Sequence, residues 1–478
     1  MWVADSLRPD HLGVYGSRRN TSPHFDRLAK NGVVFEKAFA QATWTRPSSG
    51  SLFTGLYPAV HGARTFAHGL RPTAPRLPAL LQETGMATAV FTAIGHVSAA
   101  MGYAEGVDYF SELWRHEPYV SGERPNYLIT AGEVREDAEQ WIQQRISEQT
   151  PFFALLWTID THVPFEVERA QNYFSETQYQ DGTFSIESIE GIWAAETERH
   201  LQAILDAYDA SIMETDAEFG KLIHFLRNNH IYDETVIIVM GDHGEIFNEH
   251  SRGQFFPFLR LLDISQKLPL ARRLVRRFRL LNAFGWLGHL DIPPYEEVVR
   301  VPLIVKFPNN RWEGRREDAA VELIDLPPTL LALVDQECDA AGMQGVNLLP
   351  LLEETIDNCH EFNFSDSQTH DSHLRYVSVQ QGEWKLIRAI RPRFESIFDY
   401  RAALRAYLQR WLTRSEILVN TQDEHRDRKR EERMIYRHLQ HTLDAWLVNN
   451  ERLATADSST VEDRELRDQL AKLGYLSR

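Results

Sequence analysis

The stretch from Gln41 to Gly62, QATWTRPSSGSLFTGLYPAVHG, constrains the fold of this chain more than any other. Proline is favoured at the first helical position, and small hydroxyl residues cap the free amides of a first turn. The residues around Pro47 therefore predict a helix start. Thr45 is expected at this N-terminus, beside free N–H groups and the positive end of the helix dipole. Such a place suits an anion, and a hydroxyl there can attack one. On this stretch alone, a threonine that only caps the helix is the commoner case.

The size and charge of the chain limit the class of protein to which it can belong. Its 478 residues can bury a large core and suffice for one large domain and a smaller one. The formal net charge of −17 disfavours a nucleic-acid binder, because such a protein carries a basic face. Two cysteines, Cys338 and Cys359, do not make a disulfide scaffold. We therefore expect a globular protein without a nucleic-acid partner.

The N-terminus as given is expected to carry no targeting signal. Residues Met1 to Ala4 lead directly into Asp5, without the basic segment, apolar run and cleavage site of a signal peptide. No apolar run has the length needed to span a bilayer. The chain as given is expected to be cytoplasmic. An exported form is the alternative if residues upstream of the short first strand are missing.

Strand-length apolar runs alternate with helical patterns through the first three quarters of the chain. This alternation predicts an α/β fold with a doubly wound, mostly parallel sheet flanked by helices. The predicted strands are Trp2–Asp5, Val33–Phe39, Ala87–Ala93, Phe152–Ile159, Val236–Asp242 and Val301–Phe307. The predicted helices lie near Pro23–Ala29, Leu77–Glu83, Arg135–Ile146, Glu196–Arg227 and Leu323–Leu333. In such folds the functional residues lie at the carboxyl ends of the strands. The residues expected at these ends are Asp5, Asp160, Asp242 and His243.

The pattern of strands and helices predicted from the sequence changes towards the C-terminus. We predict a catalytic α/β domain over residues 1–365 and a small C-terminal α+β domain over residues 366–478. Tyr376–Gln381 and Trp384–Ile390, split by Gly382, predict an antiparallel hairpin. Charged helical patterns follow around 401–412 and 426–448.

A basic amphipathic insertion at about 254–287 interrupts the α/β pattern. Its apolar face would carry Leu270, Leu274, Phe278 and Leu281, opposite several arginines. One interpretation is an interfacial or lid helix that makes peripheral membrane contact through residues 254–286. The other is a helix packed on its own domain with a solvated arginine face, which is the commoner case.

Four positions at predicted strand or helix ends offer ligands for one divalent metal ion. They are Asp5, Thr45, Asp242 and His243. Oxygen ligands with one imidazole suit Mn²⁺, Zn²⁺, Ca²⁺ or Mg²⁺. Such an ion would favour the alkoxide of Thr45 and neutralise the oxygens of a phosphate or sulfate ester.

Histidines near these positions could bind the ester or protonate its leaving oxygen. The candidates are His162, His250 and His289. A histidine taken singly is more often structural, and this applies to His61, His96 and His250. The segment from Asp242 to Gly244 also has a plain alternative as a turn after a strand.

The sequence blocks around these residues resemble the sulfatase family of the alkaline phosphatase superfamily. The blocks include DSLRPDHLGVYG, TRPSSGSLFTGLYPAVHG, THVPF, VIIVMGDHGEIFNEH, GHLDIPPYEEVVRVPLIVKFP and ELIDLPPTLLAL. They occur in family order along nearly the whole chain. The resemblance implies the doubly wound sheet, a small C-terminal sheet domain and a metal-centred ester hydrolase.

The resemblance also implies roles for individual residues. Asp5, Asp242 and His243 match the family's metal ligands, and Thr45 matches its nucleophile. Two further positions usually contact the ester or the leaving group. They are His162 and His289.

Several residues depart from the family pattern. Sulfatases carry Cys or Ser at the Thr45 position for conversion to formylglycine, and Ser49 replaces the arginine of that motif. Ser6 stands where many members have a second aspartate. The stretch from Gln41 to Trp157 lacks the lysines expected in sulfatase sites, and His96 stands near one such position. No formylglycine is therefore expected.

Thr45 favours chemistry at phosphorus. Family relatives with a metal-bound threonine, such as lipoteichoic acid synthases and nucleotide pyrophosphatases, act on phosphate esters. We predict a metal-dependent hydrolase or phosphotransferase that cleaves phosphate mono- or diesters through a covalent Thr45 intermediate. Its substrate would be a small-molecule, lipid or glycan ester. The alternatives are a sulfuric ester hydrolase with unmodified Thr45, and a degenerate member that binds an anion or a partner without turnover.

Overall fold

The structure is a computed structural model, and it describes most of the chain. The described residues are 1–115, 129–163, 165, 173–174, 198–247, 249, 287–334, 342–370, 374–390, 415–424 and 426–454. The basic segment 254–286 and the helix predicted around 401–412 lie outside the described residues, as do His250 and Cys338.

The strands and helices alternate as the sequence predicts. The strands are β1 (Trp2–Ala4), β2 (Val33–Phe39), β3 (Ala87–Thr92), β4 (Tyr109–Glu112), β5 (Phe152–Thr158), β6 (Ile237–Gly241), β7 (Ile246–Phe247), β8 (Leu287–Gly288), β9 (Arg300–Lys306), β10 (Arg315–Glu322), β11 (Asn363–Ser367), β12 (Arg375–Gln381), β13 (Trp384–Ile390) and β14 (Glu416–Asn420). The α-helices are α1 (Pro23–Lys30), α2 (Thr45–Thr54), α3 (Pro58–His61), α4 (Leu77–Glu83), α5 (Ala131–Glu148), α6 (Glu198–Asn228), α7 (Glu296–Val299), α8 (Leu326–Ala332), α9 (Leu349–Leu352) and α10 (Arg433–Leu453).

The main sheet of the described residues has eight strands in the order β10-β2-β9-β6-β1-β5-β3-β4. Its strands pair in parallel except β9, which is antiparallel to both β2 and β6. The central strands β1 and β6 are wholly buried, as a sheet covered on both faces requires. The predicted doubly wound, mostly parallel sheet is confirmed.

The direction of β9 differs from the all-parallel pattern that a simple alternation suggests. The backbone N–H of Gly244, just after β6, donates to the carbonyl of Val298 over 2.7 Å. Val298 lies in the short helix α7 that leads directly into β9. The chain therefore enters β9 at the edge where β6 ends, without a crossover, and β9 must run back against β6.

Two edge strands were missed from the sequence. Strand β10 reads RREDAAVE and β4 reads YFSE, and both lie at edges of the main sheet. Edge strands are partly exposed and tolerate charged residues, so they lack the apolar run that marks a central strand.

The C-terminal part forms the second, antiparallel sheet, β11-β12-β13-β14. The predicted hairpin is present as β12 and β13, and helix α10 covers the sheet through Leu439 and Leu443. Helix α10 begins at Arg433 rather than near 426, because the N–H of Arg428 donates to the carbonyl of Leu418 over 2.7 Å in β14. Strand β11 spans the predicted boundary at residue 365, so we propose that the C-terminal unit begins just before Asn363.

None of the helices in the described ranges is long and apolar enough to cross a membrane.

Candidate active site

Helix α2 begins at Thr45 itself, two residues before the start predicted from Pro47. Trp44 is the N-cap residue in extended conformation, and no side chain caps the first turn. Thr45 is fully buried. The chain that leads to it is fixed by strand β11, where the N–H of Asp366 donates to the carbonyl of Gln41 over 2.7 Å. The small sheet thus holds the entry to the helix in place.

The serines of the first turn bind other elements instead of capping the helix. Ser48 Oγ donates to the carbonyl of Asp242 over 2.5 Å, which ties α2 to the end of β6. Ser49 Oγ lies 2.7 Å from the hydroxyl of Tyr103 and donates to the carbonyl of Arg46 over 3.0 Å. These serine hydroxyls therefore do not cap the N-terminal end of α2, a position that suits a bound anion.

Two aspartates and a histidine meet at the carboxyl edge of the main sheet. Asp5 follows β1, and Asp242 and His243 follow the adjacent parallel strand β6. One ligand atom from each of these three residues lies within 4.8 Å of the others. Thr45 Oγ1 lies 3.3 Å from Asp5 Oδ2 and 3.2 Å from His243 Nε2. The structure thus brings together all four residues predicted to bind a metal.

Two buried carboxylates cost free energy when both are charged, and a bound cation would offset this cost. Burial and the neighbouring charge of Asp5 raise the pKa of Asp242 well above its usual value. Burial, with the adjacent His289, lowers the pKa of His243 to about 3, so its ring is neutral. His243 Nδ1 lies 2.8 Å from the carbonyl of Gly244 and donates to it, which leaves a lone pair on Nε2.

Asp242 carries an oxygen without a donor. Its Oδ2 accepts no hydrogen bond from any residue that the structure describes. The same oxygen lies 3.3 Å from the lone-pair nitrogen Nε2 of His243. Two acceptors that face each other in a buried place favour a cation between them, and these residues therefore fit a divalent metal ion.

Asp5 is oriented by contacts that the sequence did not reveal. Trp157 Nε1 donates to Asp5 Oδ2 over 3.2 Å, and Thr161 Oγ1 donates to the carbonyl of Asp5 over 2.5 Å. Ser6 Oγ donates to Asp5 Oδ1 over 3.2 Å, and the N–H of Ser6 donates to Asp242 Oδ1 over 3.1 Å. The sequence signal for Trp157 was its place near the end of the predicted strand Phe152–Ile159.

His162 and His289 lie together beside this cluster. Their ring centroids are 5.0 Å apart, and the ring of His289 is 4.4 Å from that of His243. Both residues are buried. His289 Nδ1 lies 3.0 Å from Oε2 of Glu245, a buried carboxylate that the sequence reading passed over within MGDHGE. Burial and the charge of His162 lower the pKa of His289 to about 3, and burial raises that of Glu245 to about 7.

The remaining sequence candidates have structural contacts. His96 Nδ1 lies 3.0 Å from Nη2 of Arg46, and burial and Arg46 lower the pKa of His96 well below its usual value. His61 Nε2 lies 3.1 Å from the carbonyl of Pro47, and its Nδ1 accepts from the N–H of Ala63. This agrees with the structural interpretation of His61.

Asp160 also follows a strand but does not join the cluster of ligands. Its Oδ1 accepts from the backbone N–H of Ala131, at the start of α5, over 3.2 Å. A position at a strand end was therefore not sufficient to place a carboxylate in the site.

Comparisons with known proteins show the family of this chain. Residues 2–336 match the family model described as Sulfatase, and residues 285–402 match that of the N-sulphoglucosamine sulphohydrolase C-terminal region. An ulvan-active sulfatase from Formosa agariphila is 23% identical over 377 residues, which are 73% of this chain and 64% of that protein.

Solved structures have the same fold. A protein in complex with its substrate D-glucosamine-2-N,6-O-disulfate aligns with a TM-score of 0.67 at 15% identity, over 95% of this chain and 97% of the other. The phosphonate monoester hydrolase of Agrobacterium radiobacter aligns with a TM-score of 0.64 at 17% identity, over 95% of each chain. At such identities the likeness shows the fold, whereas the Sulfatase match covers more than half of the sequence. The chain therefore belongs to the sulfatase family.

Proposed function

We propose that the chain is a metal-dependent hydrolase or phosphotransferase that cleaves phosphate mono- or diesters through a covalent intermediate on Thr45. One observation carries the proposal. The hydroxyl of Thr45 is buried in the first turn of α2 and lies 3.3 Å from Asp5 and 3.2 Å from His243. A hydroxyl next to a cation site, at the N-terminal end of a helix, is placed to attack an anionic ester.

Asp5, Asp242, His243 and Thr45 would hold one divalent ion. Mn²⁺, Zn²⁺, Ca²⁺ and Mg²⁺ all remain candidates, because oxygen ligands and one imidazole suit each of them. The bound ion would lower the pKa of the Thr45 hydroxyl and neutralise charge on the ester oxygens.

The alkoxide of Thr45 attacks phosphorus, so that a Thr45 Oγ1–P bond forms as the bond to the leaving oxygen breaks. His162 or His289, which lie side by side at the site, takes the proton that the Thr45 hydroxyl loses and passes it to the leaving oxygen. Water then attacks phosphorus and releases Thr45, and a proton from this water returns to the Thr45 oxygen through the same histidine. An acceptor alcohol in place of water would make the same site a phosphotransferase.

Thr45 and Ser49 support phosphorus over sulfur. Threonine cannot form the aldehyde hydrate on which sulfatases rely, whereas a phosphothreonine is released by in-line attack at phosphorus. Ser49, at the position of the family's arginine, is engaged with Tyr103 and the backbone of Arg46. The fold shared with phosphonate monoester hydrolases is compatible with this chemistry.

A second candidate function is hydrolysis of sulfate esters by unmodified Thr45. It is favoured by the names of the relatives, which include ulvan-active and iduronate sulfatases, and by the glucosamine disulfate of the solved structure. A glycan ester is therefore a natural substrate class for either chemistry. The complete cluster of Asp5, Thr45, Asp242 and His243 argues against a degenerate, non-catalytic member.

The test is turnover of p-nitrophenyl phosphate, bis-p-nitrophenyl phosphate and p-nitrophenyl sulfate, each with added Mn²⁺, Zn²⁺, Ca²⁺ or Mg²⁺. The same assays are run with Thr45→Ala and Thr45→Ser. We expect phosphoester turnover that Thr45→Ala abolishes and Thr45→Ser partly keeps, with metal binding largely intact in both because Asp5, Asp242 and His243 remain. Dominant sulfate turnover would move the assignment to the second candidate, and full activity of Thr45→Ala would exclude Thr45 as nucleophile.

A further inference from the structure

A cleft of about 180 Å³ lies between helices α1 and α6. Its lining includes four basic side chains, which are His24 and Arg27 from α1 and His224 and Arg227 from α6. Residues three positions apart lie on the same face of a helix, so each helix turns a basic face towards the cleft. None of the described residues that line the cleft is acidic.

The cleft lies near the amino-terminal edge of the main sheet. Tyr232 lines it, and Nζ of Lys306 is 4.5 Å from the centre of the Tyr232 ring. Lys306 pairs with Ile237, the first residue of β6. Asp242 and His243, which are candidate metal ligands, follow the other end of the same strand. The cleft is therefore separate from the candidate active site.

The two arginines of the cleft are held in place without a carboxylate. Arg27 and Arg227 are exposed, and neither forms an ion pair with a residue that the structure describes. The guanidinium of Arg227 lies over the Tyr232 ring, 4.5 Å from its centre. Asn31 Nδ2 donates to the hydroxyl of Tyr232 over 3.2 Å at the same place. The cleft thus combines two unpaired charges with further polar groups.

The carboxylates of the two helices near the cleft accept hydrogen bonds elsewhere. Asp26 Oδ1 in α1 accepts from the N–H of Val14 over 2.8 Å. Asp216 Oδ1 in α6 accepts from the N–H of Phe25 over 2.7 Å. The whole chain has a formal net charge of −17, so a cleft with unpaired basic groups is a local positive centre on an acidic protein.

Helix dipoles do not account for the whole set of basic residues. Arg27 and Arg227 lie in the last turns of their helices, where a basic side chain offsets the dipole. His24 lies in the first turn of α1 and has no such role. Its ring packs against Gly220 of α6, where an added Cβ would lie 2.4 Å from His24 Nδ1. Glycine within a helix lowers helix stability, so the close approach of His24 is made at a cost.

We propose that the cleft binds a small tetrahedral oxyanion of the phosphate or sulfate type. Guanidinium groups suit such ions, because they donate two parallel hydrogen bonds to adjacent oxygens. His24, His224 and Asn31 supply further N–H donors. Pockets for drug-sized ligands have about 300–1,000 Å³, so the smaller volume favours an inorganic ion or a small ester. The inference does not depend on the proposed function, since binding needs no turnover.

Isothermal titration calorimetry at constant ionic strength, with chloride as the background anion, tests the proposal. The probes are inorganic phosphate, inorganic sulfate and glycerol 3-phosphate. We expect the parent protein to bind one ion that the double variant Arg27→Gln/Arg227→Gln binds at least about 100-fold more weakly, because charge-assisted hydrogen bonds are lost. Tighter binding of glycerol 3-phosphate than of phosphate would assign the cleft to small esters.

Lys30→Gln is the matched control for the calorimetry. It removes one charge from the last turn of α1, and Lys30 does not line the cleft. This variant should bind the ion as the parent does, and thermal unfolding should show that all variants are folded. No binding in the parent, unchanged binding in the double variant, or equal weakening in Lys30→Gln would overturn the proposal.

A second measurement locates the ion. Phenylglyoxal modifies accessible arginines, and peptide mass mapping identifies the modified positions. Saturating phosphate should abolish labelling at Arg27 and Arg227. Arg311 is the control, because its side chain is 53% exposed and pairs with Glu353 elsewhere in the fold, so its labelling should not change. Continued labelling of Arg27 and Arg227, or equal protection of Arg311, would overturn the proposal.

Discussion

The indole of Trp157 and the hydroxyl of Thr45 lie beside the same oxygen, Oδ2 of Asp5, at 3.2 Å and 3.3 Å. Trp157 is buried in β5, the strand next to β1. A carboxylate that binds a metal is oriented by such partners behind it. Trp157 therefore connects the packing of the central sheet to the geometry of the candidate nucleophile.

Loss of that indole N–H should weaken metal binding. We expect Trp157→Phe to lower metal affinity about 10-fold, because Asp5 loses a donor while the packing is largely kept. Metal titration followed by calorimetry measures the change. Trp2→Phe is the control, since the indole N–H of Trp2, also buried in the sheet, has no hydrogen-bond partner among the described residues. Equal affinity loss in both variants would contradict the role of the Trp157 hydrogen bond.

Removal of one carboxylate charge should empty the metal site. Asp242→Asn is expected to lose most bound metal on dialysis, because a neutral amide replaces the oxygen that faces His243 without a donor. Elemental analysis of the dialysed protein gives the metal content. Asp160→Asn, which changes a strand-end carboxylate bound to the start of α5, should retain its metal. Full metal content in Asp242→Asn would refute the ligand assignment.

The glycine in the Asp-His-Gly segment should be sterically required. A Cβ on Gly244 would lie 2.0 Å from the backbone oxygen of Glu297, so Gly244→Ala should destabilise the protein by about 3 kcal/mol and lower its thermal midpoint. Gly132→Ala in α5 serves as control, because an added Cβ would lie no closer than 3.4 Å to its nearest neighbour, the Glu218 side chain, and alanine favours a helix. A midpoint for Gly244→Ala as high as that of the control would contradict the close approach seen here.

A histidine far from the site should make stability depend on pH. Burial alone would lower the pKa of His360, but the hydrogen bond of 2.8 Å and the charge of Asp325 raise it to about 9. Since the folded pKa exceeds the unfolded value of 6.5, this contribution is complete below pH 6.5 and is lost as pH rises through about 9. Parent protein should therefore exceed His360→Gln in stability at pH 6 and lose that advantage towards pH 10. Thermal unfolding across this range measures the difference, and a constant gap would exclude the ion pair as its cause.

The parts of the site predicted from the sequence are those that local residue patterns place at the end of a strand or the start of a helix. Asp5 and Asp242 each come directly after a buried strand, and adjacent parallel strands deliver such residues to one edge. Thr45 was predicted because Pro47 and the serines marked a helix start. The helix nevertheless begins earlier, and those serines bind Asp242, Tyr103 and other groups that only the folded chain brings near.

The sequence by itself determined the alternation of strands and helices, the strand-end carboxylates and the threonine at a helix start, because these are properties of local residue patterns. The tertiary structure decided the direction of β9, the contact of Trp157 with Asp5 and the pairing of Glu245 with His289. Each of these depends on which distant segments lie side by side. Local periodicity does not encode that choice, because it comes from the register and packing of the whole sheet.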